Sequence, residues 1–195
     1  MLPERVGQRP PGSRLLAPGG ETRREARMNE HNDVSPERMR QIMGNFCSGI
    51  TIITADTESG PAGFTCQSFT SLSLDPPLVT FNPALSSTSW PKIKGAGSFC
   101  VNVLGIEQQQ LSRTFAQSGA DKFAGIHYAP SDLGNPILDA ALAWIDCTLH
   151  AEYDGGDHSI VVGEVKGMHA REEVDPLVFF RGGYATLHSS DAMAG

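Results

Sequence analysis

The sequence lacks any apolar run near the roughly 20 residues that a membrane-spanning helix needs, and its four cysteines, Cys47, Cys66, Cys100 and Cys147, form no CxxC pair. No transmembrane helix is therefore expected, and a zinc or redox-dithiol site has no support in the spacing. Three of these thiols fall in apolar or small-residue runs, so the plain reading is buried thiols in a reducing cytoplasm. Basic charge is also scarce. Lys and Arg total 15 against 22 Asp and Glu, for a net charge of -7, and no basic stretch marks the part that looks folded. A nucleic-acid partner is excluded on that ground. Three signatures are missing as well: GxGxxG, GxxxxGK[ST] and GxSxG. Their absence argues against a Rossmann half, a P-loop and a hydrolase elbow. Asp157 and His158 are adjacent, and neighbours on one strand point to opposite faces, which is a second argument against a Ser-His-Asp triad.

Turn-forming residues, by contrast, are plentiful. Glycine occurs 21 times in 195 residues, which fits many turns between short strands in a single domain. Residues 1–33 are rich in Pro, Gly, Arg and Glu and are expected to be a disordered extension. They hold no apolar core for a secretory signal, while Glu4, Glu21 and Glu25 argue against a transit peptide. Met28 offers an alternative start. The folded domain is expected over 34–188, with a flexible tail over 189–195.

Ser35-Pro36-Glu37 is a helix start, and Met39, Ile42, Met43 and Phe46 then recur at helical spacing, which predicts an amphipathic helix that packs on something. Further helices are expected over Ile106 to Ala116 and from about Ser89-Trp90-Pro91. Elsewhere the period is two. Strands are expected around Ile50 and Ile52 and in 78–81, 99–104, 143–153, 159–165 and 177–187. In 143–153, Asp146, Thr148, His150 and Glu152 share the face expected to be wet or at an interface. Asp154-Gly155-Gly156-Asp157 predicts a tight hairpin with positive φ at both glycines, with His158 at its tip. His127 and His169 are expected in loops, and Lys92 and Lys94 in solvent. Many short strands without βα alternation predict a small antiparallel barrel, mainly β.

Three polar clusters interrupt this pattern. Gly63 to Ser73 offers Thr65, Gln67 and Ser68, whose donors and acceptors suit the polar edge of a flat ring such as an isoalloxazine. The bland alternative is a hydroxyl-rich strand and turn. Asn82-Pro83-Ala84-Leu85-Ser86-Ser87-Thr88-Ser89 leads into a helix start, where free N–H groups and hydroxyls suit a phosphate. The alternative is a loop with an ordinary cap. Gly156-Asp157-His158 places an imidazole where it can donate to a carboxamide or phosphate, although an exposed hairpin histidine is more often without function.

In this order the clusters resemble the short-chain flavin reductase family, the reductase components of two-component flavin-dependent monooxygenases. The resemblance runs from about Ser35 to Leu187. It rests on Phe46 to Thr51, Thr65 to Phe69, Asp75 to Val79, Phe99 to Leu104, Asp121 to Gly125, Gly156 to His158 and Phe180 to Tyr184. It implies a split β-barrel with a few short peripheral helices, a homodimer, and FMN or FAD reduced by NADH or NADPH. Reduced flavin would then pass to a partner monooxygenase, in the cytoplasm. It further implies that Pro61, Ala62, Gly63, Phe64, Thr65, Gln67 and Ser68 hold the isoalloxazine and ribityl chain, and that Asn82 to Ser89 hold the ribityl and phosphate end. His158, beside Asp157, would be the catalytic residue that seats the nicotinamide. The Cys66-Gln67-Ser68-Phe69 and Asp154-to-His158 wording is similar to reductases serving aromatic and steroid-ring breakdown. The rivals are a non-reductase split-barrel flavoprotein, such as a pyridoxamine-phosphate-oxidase type, and a ligand-free interaction barrel.

Overall fold

The computed structural model describes residues 32–187 apart from Ala120 and Glu173. The expectations for residues 1–31 and 188–195 lie outside the described residues. In chain order the elements are α1 (Pro36–Met43), β1 (Ser48–Gly49), β2 (Thr51–Thr57), β3 (Gly60–Cys66), β4 (Thr70–Leu74), β5 (Pro77–Phe81), α2 (Trp90–Ala96) and β6 (Ser98–Val103). A 3-10 turn at Ile106–Gln108 then runs into α3 (Gln109–Ala116), followed by β7 (Tyr128–Pro130), β8 (Pro136–Leu138), β9 (Ala143–Gly155), β10 (His158–Ala170), β11 (Val178–Phe180) and β12 (Gly183–Ala185). No helix among the described residues is long and apolar enough to cross a membrane.

Seven strands form one antiparallel sheet in the order β3-β2-β6-β9-β10-β5-β4. Its end strands β3 and β4 do not pair with each other, so the sheet stays open, as in a split barrel. Smaller sheets are β1-β11-β12 and β7-β8. Ile53, Cys66, Phe81, Phe99, Cys147 and Val161, from six strands of the large sheet, meet Trp90 and Ile93 of α2 in one core. A sheet whose inner residues converge on one helix has to curl around it. On the opposite face of β2, Ile50, Ile52, Leu104, Phe115, Leu138 and Leu177 form a second core. The alternation expected around Ile50 and Ile52 therefore leaves no wet face: Thr51 and Thr54 are buried too, with both hydroxyls bonded to backbone carbonyls.

The long β9–β10 ribbon departs most from its sequence pattern. Asp146, on the face expected to be wet, is buried, accepting from Asn135 Nδ2 at 2.8 Å and from the Leu133 N–H at 3.3 Å. The register then shifts at His150, and this bulge turns Glu152 inward. Its carboxylate accepts from Trp90 Nε1 at 2.9 Å and pairs with Lys94, which is thus not simply solvated. The Lys94 ammonium first, and the indole N–H after it, hold the Glu152 carboxyl down at about 2. The turn is also one residue later than expected. Gly155 already pairs with His158, and of the two glycines only Gly156 has positive φ.

His169 lies in β10, its ring 6.3 Å from that of Trp144, rather than in a loop. Cys47 is exposed, while Cys66, Cys100 and Cys147 are buried, and burial raises the Cys147 thiol to about 12. α1 starts as expected, with the Ser35 hydroxyl accepting from the Arg38 N–H at 3.3 Å, but it buries none of its residues.

Candidate functional site

The C-terminal half of β3 with the residues just after it, and the segment that follows β5, build one wall of a cleft of about 860 Å³, within the roughly 300–1,000 Å³ typical of cofactor and ligand pockets. Phe64, Thr65, Gln67 and Ser68 line it, as do Asn82, Pro83, Ala84 and Ser86 to Ser89. The Ser68 hydroxyl accepts from the Asn82 N–H at 2.8 Å and donates to the Asn82 carbonyl at 3.2 Å, locking the two segments together. The cap of α2 is not made by Ser89. Ser87 Oγ accepts from the Trp90 N–H at 3.1 Å. Cys66, at the floor, is buried, and that burial raises its thiol, so it faces the cleft as a neutral group.

The other wall comes from α3 and the C-terminal strands. Phe115, Ser112, Phe179 and Tyr184 line it, with the Tyr184 hydroxyl 3.1 Å from Ser112 Oγ. Thr65 Oγ1 donates to the Ser112 carbonyl at 2.6 Å, tying the walls together. His158 closes one side with its ring half exposed, and its Nδ1 lies 2.7 Å from Asp157 Oδ1. The expectation that adjacent Asp and His point apart thus fails, because Asp157 sits in the turn and not on the strand.

Not all of the expected positions face this space. Pro61, Ala62 and Gly63 line an adjoining cavity of about 290 Å³ that shares Thr88, Ser89 and Lys122 with the main cleft. Leu85 and Asp157 do not line the cleft, and the Leu85 side chain is 64% exposed. Leu85 instead meets the site through its backbone N–H, and Asp157 through its carbonyl and the contact of its Oδ1 with His158.

In the sequence, Lys122 stands out only as part of the motif from Asp121 to Gly125. Its Nζ donates to the carbonyls of Gly63 and Phe115, both at 3.0 Å, and approaches Ser89 Oγ at 3.4 Å. Burial lowers its pKa, and no carboxylate pairs with it among the described residues. The Phe123 ring packs edge-on against Phe115 at 5.0 Å, which anchors this segment. In a chain of net charge -7, the cleft is lined by a lysine and a histidine and by no Asp or Glu. Such a space favours an anionic ligand, with hydroxyls and amides to bond a polar ring edge and aromatic walls to cover its faces. A phosphorylated flavin has these properties, so the residues present fit the group.

Comparison with known proteins gives the same direction. The family described as flavin reductase like domain matches residues 43–188. The chain is 49% identical over 154 residues to the flavin-dependent monooxygenase reductase subunit HsaB of Rhodococcus jostii, covering 79% of each chain. It is 37% identical over 174 residues to the FMN reductase (NADH) SmoA of Agrobacterium fabrum, covering 89% of this chain and 91% of that one. A solved structure of nitrilotriacetate monooxygenase component B from Mycobacterium thermoresistibile superposes with a TM-score of 0.78 at 48% identity, covering 82% of this chain and 90% of that chain.

Proposed function

Because the chain belongs to the flavin reductase family, we propose that this cleft seats FMN or FAD beside NADH or NADPH and that the reduced flavin leaves for a separate flavin-dependent monooxygenase. The chain is an NAD(P)H-dependent flavin reductase. The observation that carries the site assignment is the cleft lined by no carboxylate, with the Lys122 ammonium beside the Ser89 hydroxyl and Ser86, Ser87 and Thr88 lining the same space.

When bound, the nicotinamide supplies a hydride and the flavin accepts it, so no residue of the chain has to act as nucleophile. What the chain contributes is placement. Thr65, Gln67 and Ser68 offer hydrogen bonds to the ring edge and ribityl chain, and Phe64, Phe115, Phe179 and Tyr184 keep water from the ring. Lys122 with Ser86 to Ser89 holds the phosphate. His158 offers an imidazole N–H to the nicotinamide side. The reductase domain spans 34–188, acts as a homodimer in the cytoplasm and serves an oxygenase of aromatic or steroid-ring breakdown.

Titration with FMN, FAD and riboflavin, followed by quenching of flavin fluorescence, tests the site. FMN and FAD are expected to bind at least about tenfold more tightly than riboflavin, as one charge-assisted phosphate contact would give. Equal affinities would remove the phosphate from the Lys122 end of the cleft.

A further inference from the structure

The hairpin that carries His158 projects beyond its sheet. β6 pairs with β9 only as far as Thr148, and β5 pairs with β10 only from Val161 onward. Residues 153–160 are therefore a two-stranded ribbon with no full strand on either side, and such a ribbon alone is marginally stable in water. Gly155 and Gly156 at its end add to the conformational freedom that must be lost. What remains is a short seam to the segment after β5. The Leu85 N–H donates to the Asp157 carbonyl and the Ser159 N–H donates to the Pro83 carbonyl, both at 2.9 Å. Ala84 stands opposite His158 as an antiparallel bridge, in the register that sets Phe81 opposite Val161. The ladder thus breaks at Asn82, whose backbone is bonded by the Ser68 hydroxyl, and then resumes.

We propose that Leu85 is a positioning residue, whose backbone N–H, with the Pro83 carbonyl, holds the hairpin tip so that His158 faces the cleft. This rests on the reading of His158 as the group that seats the nicotinamide. It also accounts for a leucine whose side chain turns to solvent in the middle of a cleft-lining segment: what matters there is the N–H. Pro83 cannot donate, and its carbonyl is the acceptor that the seam uses.

The test compares Leu85→Pro, which removes the N–H, with Leu85→Ala, which keeps it. Leu85→Pro is expected to raise the nicotinamide KM about three- to tenfold, the equivalent of one hydrogen bond, while the flavin Kd stays within about twofold. Leu85→Ala should keep the wild-type KM. A Leu85→Pro protein with wild-type KM overturns the proposal, and so does a Leu85→Ala protein with the same defect as Leu85→Pro. Amide hydrogen exchange on the unaltered protein guards against a misfolded proline variant. The Leu85 amide should be protected like those of β10, and exchange at the rate of an open loop overturns the seam. If the wild type shows no flavin-dependent oxidation of NADH or NADPH, the site reading itself fails. An active wild type with an indifferent Leu85→Pro fails only the present inference.

Discussion

The ammonium of Lys122 donates to the carbonyl oxygen of Gly63 at 3.0 Å, at the junction of the two cavities that the β3 strand borders. Its donors rest on neutral acceptors, so its charge is uncompensated and available to an anion. Lys122→Met is expected to weaken FMN and FAD binding by about tenfold to a hundredfold, the range for a charge-assisted hydrogen bond. Riboflavin binding should change little. Titration of all three flavins checks this, and an equal loss for riboflavin would mean that Lys122 supports the wall and not the phosphate.

His158→Ala should raise the nicotinamide KM by about tenfold, as for one lost hydrogen bond to a ligand, and leave the flavin Kd nearly unchanged. Steady-state kinetics at saturating flavin, beside a flavin titration, separates the two. An unchanged KM would take His158 out of the site.

Much of this arrangement was legible in the sequence. Strands β2, β5, β6, β9 and β10 followed from period-two or β-rich runs, whereas β3, β4, β7 and β8 did not, and the run 177–187 is two short strands, β11 and β12; the hydroxyls of 65–68 and 86–89 do converge on one cleft. What escaped depended on contacts distant in sequence. The inward turn of Glu152 follows from a bulge at His150, and no local pattern of 143–153 marks it. Burial of Asp146 comes from Asn135, in a loop whose docking only the folded chain defines. Lys122 was visible as a motif, but its place beside Gly63 and Ser89 joins residues 59 and 33 positions away. Leu85 was grouped with its cleft-lining neighbours because a run of adjacent residues does not reveal which side chains face outward.

The Glu152 carboxyl makes stability depend on acid. Held at about 2 by Lys94 and Trp90, against an ordinary value of 4.5, it binds its proton less readily in the folded chain than in the unfolded one. Its contribution is therefore complete above about pH 4.5 and declines as pH falls toward about 2. Denaturant melts of wild type and Glu152→Gln should differ most near neutral pH and converge in acid. A difference that does not vary with pH would contradict the pairing.

Gly163 permits the close approach of Phe99 and Cys147 inside the main core. A Cβ at this position would collide with the Phe99 ring and lie 3.2 Å from the Cys147 Cβ. Gly163→Ala is expected to cost about 1–3 kcal/mol, as overpacking does, and denaturant unfolding measures it. A neutral outcome would show that Phe99 has room to move.

The central claim is tested most directly by mixing the purified protein with NADH or NADPH and following loss of the reduced nicotinamide absorbance with and without FMN, FAD and riboflavin. The account predicts oxidation that depends on added flavin and leaves reduced flavin free in solution. Absence of oxidation with every pairing, in protein that still binds flavin, would contradict it and leave a flavin-binding barrel without reductase activity.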